Sequence, residues 1–445
     1  MRENILFFFS DQQRFDTLGC NGQPLPVTPC LDRLAGEGVN FQQTFTPQPV
    51  CGPARACLQT GRYPTEIGCH RNAVALPLDI PTLARQMKAA GYEVAYVGKW
   101  HLASDEHENH YETSAVPVER RGGYDGYWRA SDVLEFTSHG YDGYVFDENG
   151  KRLDFKGYRA DCITDYALEF IRAYQKEKPF FLFLSHIEPH HQNDRGDYEG
   201  PEGSRERFGA FTRPADLKPG VGDWERFMPD YLGCCHALDA NLGRVVEALK
   251  EKGIYDNTTI LYASDHGCHF RNNTDKVEAG YDDYKRNSYE NTIHVPLIIK
   301  GGAFSGGRVE QRLVSLIDLP RTILELGGAE VPAKMQGQSL LHMDAPDWKK
   351  YVYIQISESY VGRAVRTDRY KYVVWAPEKH PWNDSGSQVY EEKYLFDLAR
   401  DPLEQNNLLA DPGYADRKAA LRNLLLEGAR TAREGNLQIK EAVPC

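Results

Sequence analysis

Asn4-Ile5-Leu6-Phe7-Phe8-Phe9-Ser10-Asp11-Gln12 decides the architecture. Its apolar residues run on without the in–out alternation of a half-solvated strand, so both faces must be covered. The run then stops at a carboxylate and a carboxamide. The same pattern recurs along the chain. Glu93 to Val97 leads into Lys99 and His101, Phe180 to Ser185 into His186, His190 and His191, and Thr258 to Ser264 into Asp265 and His266; Val295 to Lys300 is a further strand. Helical segments separate these strands. They are Pro29 to Glu37 with Thr28 as N-cap, Thr82 to Ala90 closed by Gly91, Tyr158 to Lys178 stopped by Pro179, Pro229 to Lys252 closed by Gly253, and Asp318 to Leu326 ended by Gly327-Gly328. Strands alternating with helices predict an α/β fold, a large mixed, mostly parallel sheet sandwiched by helices.

After about Leu340 the texture changes. Tyr351 to Ile356, Gly362 to Thr367 and Tyr370 to Trp375 read as short antiparallel strands, with Thr367-Asp368-Arg369 as a turn, and Ala415 to Arg433 reads as a closing helix. The expected division is a catalytic α/β domain over 1–345 and a smaller C-terminal α+β subdomain over 346–445. Segments Ala103 to Asp154 and Gln192 to Asp223 are too long for simple connections and read as functional insertions near the site.

The 445 residues leave room for a sizeable core, and 41% hydrophobic with 26% charged residues is ordinary globular composition. Lys and Arg total 52 against 64 Asp and Glu, a formal charge of −12. No nucleic-acid partner is expected from that balance, and any anion site must be local. No run spans a bilayer, and Ile5 to Phe9 is too short for a signal peptide, so with Met1 as native start the expected location is cytoplasmic, without a membrane partner. Ten cysteines without a repeated Cys-x-x-Cys read as reduced thiols.

In open α/β sheets ligands bind beyond the carboxyl ends of the strands. That rule gathers two carboxylates, a carboxamide, imidazoles and a lysine at one edge. Taken singly, an Asp after a strand is usually a turn or cap, and a lone His a structural residue. The decisive addition is Cys51-Gly52-Pro53-Ala54-Arg55, continuing to Thr60-Gly61-Arg62. Gly52-Pro53 suits a turn into a helix, which places Cys51 at an N-terminus whose free N–H groups favour an anion. Arg55, one turn on, offers a planar cation for a tetrahedral oxyanion. The bland alternative is a buried cysteine beside a surface arginine.

These residues resemble the signature of the type I sulfatases, in the alkaline phosphatase superfamily. The resemblance extends over most of the chain: Asp11-Gln12, Gly98-Lys99-Trp100-His101, Glu188-Pro189-His190, Ser264-Asp265-His266-Gly267, Lys285 ahead of Tyr289-Glu290, and Tyr394-Leu395-Phe396-Asp397 through Asn406-Asn407-Leu408. It implies an alkaline-phosphatase-like fold and hydrolysis of a sulfate monoester. It implies that Cys51 is oxidised to formylglycine by a formylglycine-generating or anaerobic sulfatase-maturating enzyme. The physical logic is sound. A thiolate attacking sulfur would leave an adduct with no easy release, whereas a hydrated aldehyde accepts the sulfo group on one hydroxyl and expels sulfate by deprotonating the other. The resemblance also implies one divalent cation held by Asp11, Gln12, Asp265, His266 and the converted Cys51. Arg55 would stabilise the hydrate, Lys99 and Lys285 would bind sulfate oxygens, His101 would act as the base for release, and His190, together with Lys285, would act as the acid for the leaving oxygen. The plain alternatives are a surface Lys99 and a Lys285 paired with Asp282 or Asp283.

Departures from the family pattern sit at the cation. Gln12 stands where a second Asp is common, and His266 where Asn is common, which is less typical of calcium. Calcium is the first expectation, with manganese or magnesium as alternatives. His186, His191, His269 and Arg271 flank matched motifs and are candidates for the substrate pocket. Cys57 and Cys69 read as small buried residues. The substrate expected is a sulfated carbohydrate, because Tyr124, Tyr127, Trp128, Tyr141, Tyr144, Arg205 and Trp224 crowd the insertions; the same residues could instead pack them. Alternatives are a phosphonate monoester or phosphodiester hydrolase on this scaffold, a choline or aryl sulfatase, and a silent anion-binding protein with unconverted Cys51.

Overall fold

The computed structural model describes residues 2–272 and 283–442. Met1, Asp282 and residues 443–445 lie outside them. The strands, in chain order, are β1 Asn4–Ser10, β2 Val39–Phe41, β3 Thr44–Phe45, β4 Glu93–Lys99, β5 Tyr127–Ser131, β6 Ser138–His139, β7 Asp142–Asp147, β8 Arg152–Lys156 and β9 Phe180–Ser185. They continue with β10 Thr258–Ser264, β11 Leu297–Lys300, β12 Arg308–Glu310, β13 Val314–Ser315, β14 Tyr351–Ile356, β15 Gly362–Thr367, β16 Tyr370–Trp375, β17 Val389–Asp397 and β18 Gln438–Lys440. The helices are α1 Pro29–Glu37, α2 Cys51–Thr60, α3 Leu83–Ala89, α4 Leu134–Thr137, α5 Arg159–Ala173, α6 Ser204–Phe208, α7 Trp224–Glu251, α8 Glu290–Ile293, α9 Asp318–Leu326 and α10 Ala415–Thr431.

The main sheet runs β12-β2-β11-β10-β1-β9-β4-β5-β7-β6, with β8 hydrogen-bonded to β7. Its central five strands, β10 to β5, are parallel. The flanks β11, β2 and β7 join antiparallel. Both faces are dry, as the uninterrupted apolar strands require. Ile5, Phe7 and Phe9 of β1 pack with α2, α3 and α9, while Leu6 and Phe8 pack with α1, α5 and α7. The period of two thus splits one strand between two helical layers. A second sheet, β14-β15-β16-β17-β18, is antiparallel except for its last pair and is covered by α10 through Leu421, Leu425 and Ala429.

Several features depart from the sequence expectation, among them the start of β11 at Leu297 rather than Val295. Thr28 does not cap α1: its hydroxyl accepts the Gly19 N–H (2.9 Å), and the Cys30 and Leu31 N–H groups donate to Asp239 of α7 at 2.9 and 2.7 Å. Helix α5 ends at Ala173, well before Pro179, because the Tyr174 hydroxyl ties the following segment to Asn4 (3.1 Å) and to the Lys178 carbonyl (2.7 Å). Helix α7 starts at Trp224 with Pro229 inside it, since burying Trp224, Phe227 and Met228 outweighs one lost hydrogen bond. The first insertion is also more than a loop, as it carries β5 and the edge strands β6 to β8. Among the described residues no helix is long and apolar enough to cross a membrane, and the nine described cysteines are free thiols.

Candidate active site

Strands β10, β1, β9 and β4 are neighbours and parallel, so their carboxyl ends meet. Asp11 and Gln12 follow β1, Lys99 closes β4, His190 follows β9, and Asp265-His266 follow β10. Cys51 is the first residue of α2. Gln12 and His101 hold left-handed backbone (φ 68° and 61°), a costly conformation for residues with side chains and one that concentrates at functional sites. The loop after His101 is fixed by Asp132, whose carboxylate accepts the N–H groups of Leu102, Ala103 and Ser104 at 2.8–2.9 Å.

The cluster is buried and densely charged. Cys51 Sγ lies 3.4 Å from Asp11 Oδ1, 3.3 Å from His266 Nε2 and 3.3 Å from Lys285 Nζ. Arg55, 2% exposed rather than on the surface, donates to Asp11 Oδ2 (2.9 Å), Ser185 Oγ (2.6 Å) and the Lys99 carbonyl (3.0 Å). Lys99 is equally buried, with Nζ 2.7 Å from Asp11 Oδ2. Lys285 makes the expected pair with Asp283 (3.2 Å) and also donates to His190 Nε2 (2.7 Å). Since His190 Nδ1 faces the His191 carbonyl at 2.6 Å, Nδ1 carries the proton and Nε2 receives Lys285.

These placements set the charges. Burial alone would push the Cys51 thiol up, but Lys285, Lys99, His266 and a hydrogen bond from His101 hold it well below the usual thiol range. Burial and Cys51 oppose ionisation of Asp11, yet Lys99, His190 and Arg55 keep it below the usual carboxylate range. Asp265 moves the other way, pushed up by burial and by Asp11. Lys285 is held above the usual lysine range, against burial, by Asp283, Cys51 and Asp11.

The donor set fits a cation. One ligand atom each from Asp11, Cys51, Asp265 and His266 lies within 4.8 Å of the others, and all four residues are buried. His266 Nδ1 donates to the Gly267 carbonyl (3.0 Å), which leaves the Nε2 lone pair aimed at the cluster. Gln12 turns its amide NH2 to Tyr198 (3.1 Å), so that its buried Oε1 meets no partner; Asp265 Oδ2 also lacks a hydrogen bond, with the Arg55 guanidinium 3.6 Å away. Orphaned buried oxygens beside clustered negative charge are what a divalent cation would satisfy.

A cavity of about 350 Å³ opens on this cluster, lined by Cys51, Lys99, His101, His190 and Lys285. Both insertions reach it, through Glu135 and Phe136 and through Asn193 and Asp194. A family model described as Sulfatase matches residues 3–329, and one described as N-sulphoglucosamine sulphohydrolase, C-terminal, matches residues 278–431. The chain belongs to the sulfatase family. It is an enzyme that hydrolyses sulfate esters. The N-acetylglucosamine-6-O-sulfatase of Bacteroides thetaiotaomicron is 28% identical over 530 residues, spanning 99% of this chain and 89% of that protein. The solved yidJ of Bacteroides fragilis matches at TM-score 0.82 and 24% identity, over 97% of this chain and 96% of its own. BT4656, solved with its substrate D-glucosamine-2-N,6-O-disulfate, matches at TM-score 0.76 and 25% identity, over 98% and 99%. Phosphonate monoester hydrolase from Silicibacter pomeroyi shares the fold, at TM-score 0.69 and 23% identity, over 96% and 95%.

Within the sulfatase the four flanking candidates stand apart from the described lining of the cavity. His186 is buried between Phe8 (ring centroids 4.8 Å apart) and Thr164 (3.3 Å), and burial pushes it down to about 4. His191 packs on Tyr284, and His269 faces the Lys285 carbonyl at 3.3 Å. Arg271 lies over the Tyr284 ring. Cys57 and Cys69 are buried thiols, as expected. Half of the six insertion aromatics serve packing instead: Tyr124, Trp128 and Trp224 are buried. Sequence reading missed the residues that brace the sulfatase helix α2. Asn72 Oδ1 accepts the Gly52 N–H (2.9 Å), so that donor is not free for an anion, and the Asn72 N–H donates to Glu358 (2.6 Å). Glu358, from the loop after β14, also pairs with Arg286 of the cavity lining at 2.7 Å. No spacing signal links residues 286 positions apart.

Proposed function

We propose that this sulfatase releases sulfate from a sulfated carbohydrate, with Cys51 converted to formylglycine and one divalent cation, calcium first, beside it. The observation that carries the reading is Cys51 itself, at the head of α2, within 3.4 Å of an acid, an imidazole and an ammonium and open to a cavity. The sugar preference is supported by the carbohydrate sulfatase among its relatives. The reading requires a maturation enzyme as partner, and we keep the cytoplasm as the proposed location.

Asp11, Gln12, Asp265, His266 and the converted Cys51 would hold the cation, which would neutralise sulfate oxygen charge and acidify a hydroxyl. Hydration of the aldehyde puts two hydroxyls on one carbon of residue 51. One takes the sulfo group as the S–O bond to the alcohol breaks; loss of the other's proton to His101 re-forms the carbonyl and expels sulfate. Arg55 holds Asp11 and braces the hydrate from the far side of that carboxylate. Lys99 and Lys285 provide positive charge for the sulfate oxygens. Lys285 Nζ passes a proton to His190 Nε2, which gives it on to the leaving oxygen, while the His191 carbonyl, accepting from Nδ1, fixes the ring. The direct test is a mass spectrum of the peptide bearing Cys51 from enzyme made together with a maturation enzyme. An aldehyde mass is expected, and an unmodified thiol in active material would refute the reading.

The acid role has its own signature. His190→Ala is expected to lower kcat/KM by about 10²–10⁴-fold for alkyl sulfates. The loss with p-nitrophenyl sulfate, whose leaving group needs little protonation, is expected to be much smaller. A leaving-group series measures this, and equal losses across it would remove His190 from the role.

A further inference from the structure

Phe136 lines two cavities at once. One is the 350 Å³ cavity around Cys51, and the other is a groove of about 610 Å³ along the edge strands β6 to β8. Phe136 is 60% exposed, and among the described residues only it and Tyr141 are aromatics standing this far into solvent. A second link crosses the same divide. His139 of the groove lies 2.9 Å from Asp194 of the cavity. The groove thus adjoins the site across a ridge made of an aromatic ring and a polar pair.

The groove lining suggests its occupant. The Arg152 guanidinium carbon sits 3.6 Å from the Tyr144 ring centroid and covers one face of that ring. Arg152 is bound in turn to Asp154 at 2.7 Å, and Asp142 and Lys156 add one charge of each sign. The charges cancel, so a second sulfate is not favoured here. The exposed Phe136 ring beside alternating donors and acceptors suits a neutral hydroxylated ring, whose apolar face stacks while its hydroxyls hydrogen-bond. The cavity at Cys51 is near the small end of ligand sites, with room for one sulfated ring. A chain attached to that ring can leave over Phe136, which lines both spaces.

We propose that the β6–β8 groove binds a neutral pyranose linked glycosidically to the sulfated ring, stacked at Phe136, so that the substrate is a sulfated oligosaccharide rather than a monosaccharide. This rests on the saccharide reading above and names a binding site that reading lacks. The test is sulfate release from p-nitrophenyl sulfate and from matched mono-, di- and tetrasaccharides bearing N-acetylglucosamine 6-sulfate or galactose 4-sulfate. In whichever series reacts, kcat/KM is expected to be at least tenfold higher for the disaccharide than for the monosaccharide. Tyr144→Ala combined with Arg152→Ala is expected to bring that ratio towards one. A wild-type ratio of one, or a ratio the double variant leaves unmoved, overturns the groove. Turnover of p-nitrophenyl sulfate with no saccharide of any length accepted overturns the saccharide reading, and the groove with it. Turnover of the monosaccharides with no gain on lengthening overturns the groove alone.

Discussion

Cys51→Ala is expected to abolish sulfate release, by on the order of 10⁴-fold or more, because the group that bonds to sulfur is gone while the rest of the cluster remains. The fold is expected to persist. The thiol's polar neighbours are Asp11, His266, Lys285 and His101, and Asp11 keeps its bonds to Arg55 and Lys99 while Lys285 keeps those to His190 and Asp283. Initial rates with p-nitrophenyl sulfate, read beside a thermal melt, check both halves. Near-native rates would end the assignment of Cys51 as nucleophile precursor.

Asp265 carries the second large effect. Its Oδ1 accepts the backbone N–H groups of Gln12 (3.0 Å) and His266 (2.9 Å), so it orients two other proposed ligands as well as offering its own charge. Asp265→Ala is expected to lose the cation and about 10³-fold or more in activity. It also strands two buried donors, at about 1–3 kcal/mol each. Asp265→Asn separates the two effects. The amide oxygen can still accept those N–H groups, so stability is expected to recover while metal content and rate stay low. Elemental analysis after dialysis reads the metal, and an Asn variant with full metal and full rate would contradict the ligand set.

Sequence made the middle of this molecule legible for a physical reason. Strands buried on both faces must be apolar throughout, so the polar residues that end them stand out, even though some of these, such as His186, turn out to pack. Hence β1, β9 and β10, the residues after them, and Lys99 and His101 at the end of β4 could be read from composition and order alone. Where partners come from far along the chain, local reading failed. Thr28 looked like the cap of α1, but Asp239 on α7 reached its N–H groups first. Pro229 looked like a helix start, but the apolar residues before it were worth burying. The aromatics of the insertions looked like a sugar platform, yet stacking of Tyr96 with Trp128 and edge contacts with Tyr124 put those two in the core. Tyr144 on the edge strands stayed outside that core. Asn72 and Glu358 were invisible because their work is to hold backbone, which leaves no compositional trace.

Cys51 is 1% exposed once the chain has closed around it. Any catalyst that rewrites that side chain must reach it earlier, and the neighbours that seal it arrive late: Lys285 follows 234 residues behind. At common synthesis speeds that gap is roughly 10–50 s. On the proposed conversion of Cys51, maturation becomes a race against the chain's own completion, and a shortage of the modifying activity would leave finished, well-folded molecules without their nucleophile.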